Sequence, residues 1–170
     1  MIKVESRNWT GMEDIDSEAL LRDIRTEARI VTKEALLLFE REVKLTLSGQ
    51  RSGQTYKVGE RGLGSGQRQH VASAPGEPPA VLFGNLRGSV GHEGPHRRSW
   101  GYEGEVGPGL GQDVTADERD AANSYARRLE LGGVDSRGVR ILPRPYMEPS
   151  ARRARPKVHG LWERRLGSSR

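Results

Sequence analysis

Apolar residues recur at alternating intervals of three and four from Ser17 to about Leu47, where Leu21, Ile24, Ala28, Val31, Ala35 and Leu38 form one seam. Phe39 and Val43 widen it toward the far end. That period predicts a single long amphipathic helix. Asp16 or Ser17 can cap its start, Glu18 suits the positive end of the helix dipole, and Ser48-Gly49 offers a stop. About 30 residues at 1.5 Å each span roughly 45 Å, longer than one small domain needs, so part of the helix is expected to reach a neighbour or solvent. A two-helix coiled coil is the alternative use of such a seam.

Beyond the helix the pattern breaks into short segments punctuated by glycine. "TYKV" (55–58), "RQHVASA" (68–74), "SWGYEGEVG" (99–107) and "VRIL" (139–142) have the composition or alternation of strands, with Tyr56/Val58 and Trp100/Tyr102 as same-face pairs. The spacer "GERGLGSGQ" then reads as a flexible loop between two strands. "GNLRGSV" predicts a short helix weakened by Gly88. A longer one runs over about 115–131, opened by a Thr115/Glu118 capping box and stopped at Gly132-Gly133. A last helix begins at "MEPSARRAR" with Pro149 in its first turn, and Pro156 is expected to kink or break it. The sum is an α+β chain: a long N-terminal helix, a small antiparallel sheet with long loops, and two or three shorter helices. Its organisation reads as an arm over 1–16, a main domain over 17–150 and a basic helix or tail over 151–170.

Composition thins the core of this plan. Leu, Ile, Val and Phe supply 35 of 170 residues, while 22 glycines add nothing to bury. That is close to the range where a chain depends on partners for order, which disfavours a self-sufficient enzyme. With no cysteine there is no disulfide framework, thiolate metal site or cysteine nucleophile, as suits assembly in a reducing cytoplasm. No apolar stretch is long enough to span a membrane, no leader pattern opens the chain, and no membrane partner is expected. "NWT" at 8–10 matches a glycosylation acceptor but has no secretory context. The net charge of +5 is concentrated at the end, where residues 151–170 carry seven basic side chains against Glu163 alone. Arg152, Arg153, Arg155, Lys157, Arg164 and Arg165 are candidate DNA-facing residues; the ordinary alternative is a solvated helix face.

The candidate chemistry is slight. "HEGPH" (92–96) matches a zinc-hydrolase string, but that geometry needs His92 and His96 on one helical turn, and Gly94-Pro95 between them forbids the turn. "GLGSG" (62–66) and "GPGLG" (107–111) lack the strand before, the helix after and the lysine of a phosphate cradle. No nucleophile elbow and no aromatic nucleic-acid motif is present. No catalytic, metal or cofactor-binding residue is assigned.

Four pieces, "RSGQTY", "HVASAPGEPPAVLFGNLRGSV", "YARRLELGG" and "ILPRPYMEPSARRA", stand in an order and spacing that resembles the tail-completion, or head-tail joining, proteins of long-tailed bacteriophages. The match spans about residues 17–155. It falls on Ser52, Gly53 and Tyr56, on Ala74, Pro75, Gly76, Pro78 and Pro79, and on Gly84, Leu86 and Ser89. It continues through Tyr125, Ala126, Glu130 and Gly132 to Pro143, Arg144, Pro145 and Tyr146. Gly88, the doubled Gly132-Gly133 and the basic end depart from the family pattern. The resemblance implies a structural virion protein at the head-tail junction, assembled in the host cytoplasm. It would form a homo-oligomeric ring, sixfold favoured over twelvefold, contacting an adaptor, a tail terminator or the tail tube, and packaged DNA through the basic end.

Within that picture Pro75, Pro78 and Pro79 stiffen an arm. Leu86 and Val90, four apart, present a small apolar face to an adjoining subunit, and a self-packed loop is the alternative. Glu130 with Arg127 and Arg128, and Arg144 between prolines, are expected to form inter-subunit ion pairs, with Tyr146 beside them. A basic nucleic-acid-binding protein acting through 151–170 is the second reading, and a metallohydrolase through "HEGPH" the third.

Overall fold

The structure, a computed structural model, describes residues 16–58, 68–80, 84–111, 115–134 and 137–166. The N-terminal arm with its "NWT", and the glycine-rich spacer over 59–67, lie outside these residues, as do the side chains of Val58 and Glu118. The architecture is α+β, built on α1 (Ser17–Ser48) as a spine. Asp16 caps α1: its carboxylate accepts from the backbone N–H of Glu18 and Ala19, both at 3.0 Å. The seam is covered only in its C-terminal part. Val31, Leu36, Val43 and Leu47 are buried, whereas Leu20, Leu21 and Ile24 are 51, 48 and 48% exposed. Leu36 and Leu47 lie outside the seam marked by the spacing, because two different elements pack on α1 and together they widen its buried face.

Three antiparallel hairpins form separate two-stranded sheets where one small sheet was expected. β1 (Thr55–Val58) pairs with β2 (Arg68–Val71), β3 (Val90–Arg98) with β4 (Gly101–Pro108), and β5 (Gly133–Val134) with β6 (Arg140–Ile141). β3 is the strand the pattern did not announce. "VGHEGPHRR" has no alternation, and its register shifts between Glu93 and His96, a bulge that accommodates the proline without a ladder hydrogen bond. Trp100 sits in the tight turn at the hairpin tip, 71% exposed, so it does not share a strand face with Tyr102. The hairpin packs along α1, where Leu36 lies so close to Gly104 that an added Cβ would sit 2.5 Å from its Cδ1.

α2 (Asn85–Ser89) is the short helix expected, and α3 (Ala116–Leu131) ends at Gly132, whose φ of +77° is the left-handed stop that glycine adopts freely. α4 (Met147–Leu166) runs straight through the position that was expected to end it. Pro156 lies on the exposed side of α4, while Ala154 is buried and Val158 half-buried, so the carbonyl released by the missing N–H faces water. The division at 150/151 therefore falls inside a helix. α4 lies antiparallel on α1, with Ser150 and Arg153 beside Thr46, and Arg165 beside Glu34 and Glu27. The core gathers where the elements converge, from Val43, Leu47, Val90, Ala126, Leu129 and Tyr146.

Candidate assembly interface

The proline arm is tied down within its own chain. Arg51, just past the end of α1, donates to the open carbonyls of Thr46 (2.9 Å), Leu47 (3.2 Å), Gly49 (2.7 Å) and Gln50 (2.9 Å), and to Pro79 at 3.0 Å. The end of α1 is thus sealed by a guanidinium; Gly49 stays extended at φ −64°. Burial lowers the Arg51 pKa from its ordinary value, and the nearby Glu77 charge acts the other way. Glu77 forms the second tie. Its carboxylate accepts from the Ser52 hydroxyl (2.6 Å) and from the backbone N–H of Ser52 (3.0 Å) and Ala74 (2.9 Å). These bonds, the Ser52 hydroxyl first, hold its pKa down to about 2. Ser73, buried, donates to the Pro78 carbonyl at 2.7 Å. The arm is the self-packed loop, with Pro79 buried, Pro78 half-buried and Pro75 exposed on its outer side.

The residues expected at a subunit contact divide the same way. Val90 is fully buried in the core and Leu86 packs against it, so these two serve the chain's own interior. Tyr146 is 1% exposed there; desolvation raises its hydroxyl pKa, and the charge of Glu130 adds to the rise. Glu130 makes no ion pair with Arg127 or Arg128. Its carboxylate accepts from the backbone N–H of Tyr146 (2.8 Å), Met147 (3.0 Å) and Glu148 (3.0 Å), capping α4 from the end of α3. The Arg144 N–H donates to the Leu129 carbonyl at 2.7 Å, closing the same junction. Of this group Arg127 is exposed and Arg144 half-buried. The resemblance singled out these residues but not that they bind one another, because both ties join residues 15 or more positions apart.

The basic end is largely committed to α1. Glu42, only 6% exposed, receives Lys157 at 2.5 Å and Arg153 at 3.7 Å, and Arg153 also reaches the Thr46 hydroxyl. Arg165 bridges Glu34 (2.7 Å) and Glu27 (3.6 Å), and Arg152 pairs with Glu148 one turn back. For Arg153, Lys157 and Arg165 the assignment as DNA-facing side chains is corrected. Their charges answer α1 carboxylates that four turns of sequence arithmetic on α4 alone could not reveal. Arg155 stands at the edge of a groove between α1, α4 and β4.

In "HEGPH", β3 is extended and no helical turn brings the imidazoles together. His92 contacts Glu40 through Nδ1 at 2.5 Å, fastening the hairpin to α1, and His96 lies 3.5 Å from Glu93. Burial pushes the Glu40 pKa up, but hydrogen bonds from Lys44 and His92 outweigh it and leave the carboxyl below its ordinary value. Among the described residues no three His, Cys, Asp or Glu side chains gather as a metal would require. Nor is any described helix long and apolar enough to cross a membrane. Compared with family models, curated proteins and solved structures, the chain finds no match.

Proposed function

We propose that the chain is a structural virion subunit, one copy of a closed ring in the neck of a long-tailed phage, joining the DNA-filled head to the tail or completing the tail end. Sixfold closure is favoured over twelvefold, and its neighbours are an adaptor, a tail terminator or the tail tube. The observation that carries this reading is the uneven covering of α1. A 32-residue helix packs its C-terminal part on its own chain and leaves Leu20, Leu21 and Ile24 open, as a subunit meant to be completed by others does. The motif residues that carry the family resemblance support it by knitting together the other end of the spine: Ser52 and Ala74 bind Glu77, and Glu130 fixes the start of α4. Electron microscopy and mass measurement of the purified protein, alone and mixed with the products of adjacent reading frames, test it. Rings that bind a neck component support the proposal; a protein that stays a compact monomer in every mixture overturns it.

A nucleic-acid-binding role through 151–170 is the weaker alternative, since Arg153, Lys157 and Arg165 already meet Glu42, Glu27 and Glu34 and fewer cations are left for phosphate. Steep salt dependence of duplex binding would favour it.

A further inference from the structure

Two apolar features of this one chain lack a partner, and they lie at different places. The first is the groove of about 510 Å³ between α1, α4 and β4, floored by Leu36, Phe39, Ala154, Val158 and Trp162. Its volume is that of clefts that take up several apolar groups. Arg155 and His159 stand on its α4 rim and Glu103 on its hairpin rim. Glu103 is held by Arg98, and His159 faces Glu163 at 3.2 Å. The Arg155 guanidinium has no hydrogen-bond or ion-pair partner among the described residues. The second feature is the open edge of α1, where Leu21 and Ile24 follow Glu18 on one face. The Glu18 carboxylate also has no cation partner among the described residues.

We propose that the groove receives the N-terminal edge of α1 from a second copy of this chain. Leu21 and Ile24 enter beside Phe39, Val158 and Trp162, and Glu18 meets Arg155. The lengths agree: Ser17 to Ala28 spans about 17 Å of helix, as does the stretch of α4 from Ala151 to Trp162 that lines the groove. Trp100 at the hairpin tip, another exposed apolar side chain, comes with Arg97 and would bring positive charge to a rim that already carries Arg155. Edge and groove are different surfaces, so the contact can be made head to tail and propagate from copy to copy. The inference rests on the ring reading for its closure into a ring, while the contact itself stands on the two surfaces.

Sedimentation velocity over a concentration series tests it with the full chain and four variants at exposed positions, each checked for native circular dichroism. The wild type associates with rising concentration. Leu21→Asp weakens association about a hundredfold by placing a charge against an apolar floor. Glu18→Arg and Arg155→Glu each weaken it about three- to tenfold, and the double variant regains most of the loss. A wild type that stays monomeric throughout, or Leu21→Asp and Arg155→Glu variants that associate as it does, overturns the contact. Association that stops at two copies and is lost in Leu21→Asp supports the contact and removes the ring reading. A closed ring indifferent to Leu21→Asp supports the ring and overturns the contact.

Discussion

The two ends of α1 are made of similar residues and live in different circumstances. At the C-terminal end Val43 and Leu47 are sealed in the core, Glu42 is paired twice, and the last carbonyls are closed by Arg51. At the N-terminal end Asp16 caps the first turn and Glu27 meets Arg165, while Leu20, Leu21 and Ile24 face outward. Periodicity is the same at both ends, so it reports which face of a helix is apolar and not what covers that face. The difference comes from α4 and the β3–β4 hairpin, which end before α1 does.

Substitutions sharpen this contrast. Leu47→Ala, at 1% exposure, is expected to lower unfolding free energy by about 2–5 kcal/mol in denaturant titration, since the cavity lies where α1, β3, α3 and Tyr146 converge. Glu130→Ala removes three backbone acceptor bonds at the start of α4 and is expected to cost about 1–3 kcal/mol, with earlier amide exchange at Tyr146 and Met147. The Glu77 tie gives a pH signature. Its folded pKa of about 2 lies below the ordinary 4.5, so its contribution is complete above pH 4.5 and fades as the pH falls toward 2. Relative to their intrinsic exchange rates, the Ser52 and Ala74 amides should lose protection over that window, and Glu77→Gln should abolish this pH-dependent loss. Smallest of all, Leu21→Ser should leave the stability of the isolated chain within about 0.5 kcal/mol of the original. A large loss there would show that the open edge is covered by this chain itself.

Much of the fold was legible. The start of α1, the stop of α3 at Gly132 and the placing of Pro149 in the first turn of α4 all follow from local chemistry. β3 was not, because two glycines, a proline and five ionisable residues hide an extended segment that is held by its partner strand and by Glu40. The continuity of α4 was hidden because a helix tolerates proline when tertiary packing on the opposite face holds it. At the candidate interface the sequence reading set Pro79, Val90, Glu130 and Tyr146 at a subunit contact, whereas the chain's own structure uses them: Val90 and Tyr146 in the core, Pro79 as an acceptor for Arg51 and Glu130 at the start of α4. Their partners, Arg51, Val43, the start of α4 and Leu47, lie far away along the chain, where spacing carries no information.

The bulge in β3 has a bearing on how the chain avoids stray pairing. A hairpin of nine- and eight-residue strands keeps outer edges with no strand partner among the described residues, and a straight ladder of free amides invites stray chains to join it. Pro95 removes one donor, the shifted register puts the next out of step, and Glu93 and Arg97 surround the break with charge. The hairpin therefore carries its own guard against sticking edge to edge.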